Sequence, residues 1–436
     1  MSTTPDTPSP IEDASGPALS DAELTTAAPE VLASSLGEYF RAWGARIKNG
    51  ESGALPVIVG LIAIIVFFQI ERSQFLTAGN LVNLLVQATT FIMFGAAEIF
   101  VLLLSEIDLS LGYGAGVGAF VIAELIAPPV NFPWWLGIIC GLAAMGVLGF
   151  IQGSLIARLG LPSFIVTLGG YLGFLGLMQE VANADSTAVG GVIQISQNSP
   201  VYNLVNDTMS TTLGWIVLIV VVAVFAVFAV FQNRSRRAKG LTAPPLGVTL
   251  LGVVAAGIGG LVLVLICNAN RGNLEPLRGM PWVIPFVLII LAIYSWLMAR
   301  TRTGRYVYAV GNNPEAARRA GIKVKWIITF GFVMASITAG IAGLIYESNQ
   351  GSMAIDINGG QLVLFAVAAA VIGGTSLFGG RGKIINALLG GIVIAVVFNG
   401  LGLMGVSAAV QDMVTAVVLI AAVSLDALVR RRAIAH

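Results

Sequence analysis

Apolar runs of about twenty residues, with few or no charges, recur along this chain from Leu55 to Val429. At about 1.5 Å of rise per helical residue, each is long enough to cross a hydrocarbon layer of roughly 30 Å. The pattern predicts crossings near 55–70, 81–104, 111–127, 134–157, 163–182, 213–232, 245–267, 281–299, 325–346, 359–374, 384–403 and 409–429. Twelve such segments define an all-α, polytopic integral membrane protein, a helical bundle in lipid. Two polar or glycine-rich interruptions stand out, Ser105–Gly112 and Gly373–Gly380. Each reads either as a cytoplasmic turn or as broken backbone within the bilayer, which is tolerated only where protein or a water-filled cavity satisfies its polar groups.

Composition excludes the soluble alternative. Of the 436 residues 57% are apolar and 10% charged, against roughly 25% charged in an ordinary globular domain, and burying every run inside a soluble core would need a far larger protein. Glycine is abundant, at 52 residues, which suits close helix packing in lipid. The net charge of +1 matters less than where the charges sit. With both termini on the cytoplasmic side, 20 of the 23 Lys and Arg fall there, and Arg72, Arg271 and Arg278 fall outside; that bias fixes orientation through the positive-inside rule.

Before the first crossing, residues 1–50 form an acidic tail with seven acidic residues in the first forty and no Lys or Arg until Arg41. Its Ser, Thr, Pro and Ala content is that of a disordered segment. Leu32, Leu36, Phe40, Trp43 and Ile47 follow helical spacing, so the tail ends either in an interfacial amphipathic helix or in a solvated linker. Cys140 and Cys267 lie within apolar runs, and the single histidine is His436. Zinc sites, Cys/His pairs and Ser/His/Asp triads lack their parts, no nucleic-acid partner is implied, and the chain is not expected to be an enzyme. A phosphate-cradling loop is missing too: Gly382-Lys383 is followed by Ile384, with no glycine five positions before Gly382.

Three segments carry a resemblance. They are Glu106-Ile-Asp108-Leu-Ser110-Leu-Gly112, Gly311-Asn312-Asn313-Pro314-Glu315-Ala316-Ala317-Arg318-Arg319-Ala320-Gly321-Ile322, and Val371–Gly382. In this order and spacing they resemble the permease subunits of ribose-, galactose- and xylose-type ABC importers, over about 55–432. Pro162–Leu168 and the extra helix pair at 213–267 are similar to the xylose type; Leu175 stands where the family usually has Arg, and Asn270–Gly279 is longer and more charged than expected. The resemblance implies a type II importer-like bundle, a ten-helix core with the inserted pair. It also implies two copies of the chain, one or more ATP-binding subunits that use ATP and Mg while this chain binds no cofactor, and an extracytoplasmic sugar-binding protein.

The family assigns the 300–325 loop to coupling with the ATPase, through Gly311, Asn312, Asn313, Glu315, Ala316, Ala317, Arg318, Arg319 and Gly321. The residues themselves predict a short helix over Pro314–Ala320, capped by Asn313 with proline at its first position. Ionisable groups near a bilayer are costly. Glu98, Glu106 and Asp108 therefore read as the polar wall or gate of a sugar pathway, with a solvated turn or a helix cap as the alternative for Glu106 and Asp108. Asn83, Gln87, Thr167, Gln361, Asn386 and Asn399 either line that pathway or bond helix to helix, and Phe164 either stacks on sugar or packs. The rival function is an ion-gradient-driven transporter, with Glu98 as its ion site.

Overall fold

The computed structural model describes residues 37, 41, 55–184, 191–238, 243–272, 276–355, 357–418, 420 and 424. Apart from residues 37, 41, 420 and 424, the acidic tail and the end of the twelfth crossing lie outside the described residues, as do the apolar stripe of the expected surface helix and Arg430–Arg432. The helices are α1 (Leu55–Glu71), α2 (Ala78–Leu102), α3 (Leu111–Ile126), α4 (Trp134–Leu159), α5 (Ser163–Ala184), α6 (Pro200–Asn206), α7 (Thr211–Ala238), α8 (Leu246–Asn268), α9 (Val283–Arg300), α10 (Arg302–Asn312), α11 (Pro314–Arg319), α12 (Val324–Gln350), α13 (Gly359–Ile372), α14 (Asn386–Met404) and α15 (Ala408–Val418). Strands β1 (Val192–Gln194) and β2 (Ser352–Ala354) pair antiparallel, with Val192 opposite Ala354.

Every apolar run read from the sequence becomes a helix. Among the described residues eight are long and apolar enough to cross a membrane, and α1, α3, α13 and α15 are shorter. At about 1.5 Å per residue, α3 with 16 residues and α13 with 14 fall short of a full crossing. Both abut one of the two polar interruptions. Helix ends are set locally: α4, α12 and α14 stop at Gly160, Gly351 and Gly405, each in the left-handed conformation that glycine adopts at little cost. Expected boundaries shift by a few residues, most at α7, which continues past 232 to Ala238, and at α12, which continues past 346 to Gln350.

The chain divides into two compact units. Of the described residues, 55–217 and those from 261 onward make one, and 218–260 with 37 and 41 make the other. In the larger unit α2 and α12 are central. Helix α12 packs on α2, α3 and α4, and α13 and α14 pack on α2. Small residues permit this closeness: a side chain at Gly343 would strike the Ala115 carbonyl, and one at Gly390 the Ala369 carbonyl. The smaller unit holds the middle of the helix pair. Its side chains, such as Ile219, Val224, Val227 and Phe231, are apolar and exposed, as on a lipid-facing surface. Asn233 Nδ2 donates to Pro244 O at 2.8 Å and to Thr249 Oγ1 at 2.9 Å across its turn.

Candidate functional site

Helix α2 ends at Leu102, and the chain runs through a non-helical stretch before α3 begins at Leu111. Ser105 turns it, with φ 64°, a conformation that costs a non-glycine residue. Two distant segments close on this turn. The Ser105 hydroxyl lies 3.2 Å from Gly311 O and 3.0 Å from Phe378 O, and Gly380 N donates to Leu103 O at 3.0 Å. Gly311 sits so tightly on Leu103 that an added Cβ would overlap its carbonyl. The two segments are also tied to each other, since Tyr308 OH donates to Gly382 O at 2.9 Å and Asn312 Nδ2 reaches Gly380 O at 3.5 Å. Burial raises the Tyr308 phenol above its ordinary value. The second and third of the segments that carry the resemblance thus meet at Leu103 and Ser105, in the turn that leads into the first.

The 300–325 loop is more helical than the sequence suggested. Thr301 accepts from Gly304 N at 3.1 Å and starts α10, which buries Gly304, Val307, Val310 and Gly311 along one face. Asn313 then caps α11, accepting from Ala316 N at 2.9 Å, with Pro314 at the first helical position as expected. Ala317 is buried, Ala316 exposed, and Gly321 closes the turn at φ 81°. Glu315, Arg318 and Arg319 are exposed, and Arg318 pairs with Glu315 at 2.6 Å. Gly373–Gly382 is a turn between α13 and α14, and Gly374, Gly379, Gly380 and Gly382 all have positive φ, which explains its glycines. Arg158, ending α4, stacks 5.0 Å from the Trp326 ring at the start of α12, so these basic ends lie side by side.

Next to the turn lies a buried polar cluster. Asp108 Oδ1 accepts from Ser110 N at 2.9 Å and Ser110 Oγ at 2.6 Å, and Gln152 Nε2 donates to Ser110 Oγ at 2.9 Å. Thr167 donates to Ile107 O at 3.4 Å. Burial pushes the Asp108 carboxyl up to about 6, against the pull of the two Ser110 donors. Glu106 is half-buried, and burial raises it too, offset by a hydrogen bond with Ser163. Glu98 is fully buried in α2, with Asp108 as its charged neighbour, and neither of its oxygens makes a well-formed hydrogen bond.

The other expected pathway residues are not gathered here. Asn399 accepts from Asn80 Nδ2 at 2.8 Å, an interhelical tie, and Gln361 bonds Asp412. Asn386 opens α14 beside Gly373, Gln87 is half-buried with Oε1 unpartnered, and Asn83 and Phe164 are exposed. A cavity of about 690 Å³ between α4, α6, α9 and α12 contains none of them. Its walls, Trp134, Trp282, Phe286 and Leu344 among them, are apolar and do not suit sugar hydroxyls. Sequence reading missed Ser105, Ser110 and Gln152. It also missed Glu347, which is fully buried with both oxygens unpartnered because α12 extends beyond its expected end. Among the described residues no group of three or more His, Cys, Asp or Glu is placed to hold a metal ion.

A mainly helical membrane bundle with a gripped turn beneath its central helix is the frame of a transport-system permease, and comparison with known proteins agrees. The family model described as branched-chain amino acid transport system, permease component, matches residues 80–423, and the chain belongs to that family. The D-allose transport system permease of Escherichia coli K12 is 28% identical over 384 residues, covering 88% of this chain and 93% of that protein. The xylose transport system permease of the same organism is 30% identical over 388 residues, covering 88% and 94%. The fructose import permease of Rhizobium meliloti is 28% identical over 384 residues, covering 88% and 87%. The relatives carry the names of different sugars at near-equal identity, so the xylose type is not singled out. No solved structure matches the chain.

Proposed function

We propose that this chain is the membrane-spanning subunit of an ATP-driven monosaccharide importer of a bacterial inner membrane, working as a pair of copies by alternating access. Separate ATP-binding subunits hydrolyse ATP, and an extracytoplasmic binding protein delivers the sugar. The observation that carries this reading is the junction of Ser105, Gly311 and Phe378–Gly380 beneath α2. It links an exposed, charged helix, α11, to the most buried helix of the bundle, as a subunit driven from outside requires. Residues 300–325 form the ATPase dock within a permease domain of 51–432, and 213–267 is an insertion into its core. Twenty of 23 Lys and Arg on one side support cytoplasmic termini, which puts the dock in the cytoplasm. The sugar is a pentose or hexose, D-xylose and D-allose being the first to try. Glu98, Glu106 and Asp108, with Gln152 and Thr167, line or gate its path.

The fully buried carboxyls of Glu98 and Glu347 favour one other reading, ion-driven sugar transport. Reconstitution into liposomes separates the two. The chain with its ATPase and binding protein should accumulate labelled sugar only when ATP is supplied. Uptake by the chain alone, driven by a proton or sodium gradient, would sink the ATP-driven reading.

A further inference from the structure

Ser105 occupies a position that backbone energetics disfavour for serine and where core packing gives no reason for one. Its side chain is exposed and fills no core space, and its φ of 64° is one that glycine or asparagine adopts more cheaply. What serine adds is a hydroxyl, and that hydroxyl faces two main-chain carbonyls, Gly311 O at 3.2 Å and Phe378 O at 3.0 Å. These acceptors lie 206 and 273 residues further along the chain, one in the proposed dock and one in the glycine turn between α13 and α14. Tyr308 and Asn312 tie those two segments to each other. At the end of α2, Ser105 is the side chain that reaches both.

We propose that Ser105 is a positioning residue for energy coupling: its hydroxyl fastens the end of α2 to the dock and to the glycine turn, so that the three move as one piece. The inference rests on the reading of α10 and α11 as the ATPase dock. A hydroxyl carries one proton and cannot donate fully to both carbonyls, so it can shift between them while keeping its hold as the segments adjust. The backbone bond from Gly380 N to Leu103 O holds only the glycine turn, and the Gly311 contact with Leu103 holds only by pressing. Without the hydroxyl, α10 is held to the end of α2 only indirectly, through the glycine turn, and ATP-driven movement of the dock is partly lost before it reaches Glu98 and Asp108.

The test uses the full complex, chain with ATPase and binding protein, in proteoliposomes with D-xylose and D-allose as probes. It measures sugar transported per ATP hydrolysed, and thermal stability. Ser105→Ala removes the hydroxyl and keeps the unfavourable φ, whereas Ser105→Gly removes the hydroxyl and relieves the backbone. Both variants should lose about two- to tenfold in sugar per ATP, the range of one net hydrogen bond. Ser105→Gly should do so at parental stability or above, which a purely structural role would not give. Should Ser105→Ala fail to fold, Ser105→Gly decides alone. Recovery of parental coupling in Ser105→Gly would reduce the position to backbone strain and overturn the proposal. A triple alanine variant of Glu315, Arg318 and Arg319 separates the two levels. If it uncouples while both Ser105 variants transport normally, the dock stands and the fastening role falls; if the triple variant is normal, the dock reading fails and takes the fastening role with it.

Discussion

Gly311→Ala sets two opposed effects against each other at one position. Gly311 lies in α10 with ordinary helical backbone, so on propensity alone alanine should stabilise by about 1 kcal/mol. Against this, the added methyl would overlap Leu103 O and stand 2.9 Å from Leu103 C and 3.0 Å from Gly380 N, inside the hydrogen bond that joins Gly380 to Leu103. Losing that bond costs about 1 kcal/mol net, and overpacking into backbone that cannot rotate away costs about 1–3 kcal/mol. Close approach wins, for a net loss of about 1–3 kcal/mol and a displaced α10. Gly321→Ala is the matched control. An added Cβ there meets open space, and only the φ of 81° opposes it, at about 1 kcal/mol. Thermal unfolding of the purified chain in detergent should rank the parent above Gly321→Ala and Gly321→Ala above Gly311→Ala, and sugar carried per ATP should fall mainly in Gly311→Ala. A Gly311→Ala protein as stable and as well coupled as the parent would refute the close-contact reasoning and leave propensity in charge.

Further outcomes follow from single features. The triple alanine variant of Glu315, Arg318 and Arg319 should melt within about 0.5 kcal/mol of the parent, because its one ion pair is exposed; a large loss of stability would show that α11 is held by more than these contacts. Asp108 titrates at about 6 in the folded chain and at its ordinary lower value when unfolded. The folded state therefore binds the proton more tightly, and stability falls as pH rises from about 4 to 6. Asp108→Asn should flatten that slope in pH-dependent melting, and an unchanged slope would refute the assignment. Asn399→Ala should cost about 0.5–2 kcal/mol through the lost bond from Asn80, with sugar uptake kinetics unchanged; a changed apparent affinity for sugar would place Asn399 in the pathway instead.

What could be read from the sequence divides along a physical line. Run length and hydropathy need no partner, so the twelve apolar helices of the described residues were legible, though four are shorter than the crossings expected; so was the cap of α11, since Asn313 and Pro314 act within one turn. Helix ends were less so. The polar stretch Glu347-Ser348-Asn349-Gln350 looks like loop, but the left-handed Gly351 beyond it lets α12 run on and draw Glu347 inside. Helix α10 was hidden because its apolar face, Gly304, Val307, Val310 and Gly311, is short and interleaved with Arg302, Arg305 and two tyrosines. Ser105 was beyond reach, since its partners are main-chain carbonyls more than two hundred residues away and no local pattern marks them.

The position of α2 makes the junction consequential for transport. Buried along most of its length and packed by α12, α13 and α14, it has no soft surface into which a push at its end could dissipate. Glu98 lies four residues before the last residue of α2, just beyond which Ser105, Gly311 and Gly380 make their grip, and Asp108 lies three residues beyond Ser105. On the proposed reading, a displacement of α11 outside the bilayer therefore arrives at the buried carboxylates through a single helix end rather than through a loop that could absorb it. An ion-driven carrier would place its switch at Glu98 itself and would gain nothing from a backbone clamp on a charged external helix. The cost is visible at the clamp, where a serine is held in a left-handed conformation of the kind that the adjoining turn gives to glycines. Such conformations persist only where surrounding contacts over-determine them, and here the contacts come from the two segments that a motor outside the membrane would move.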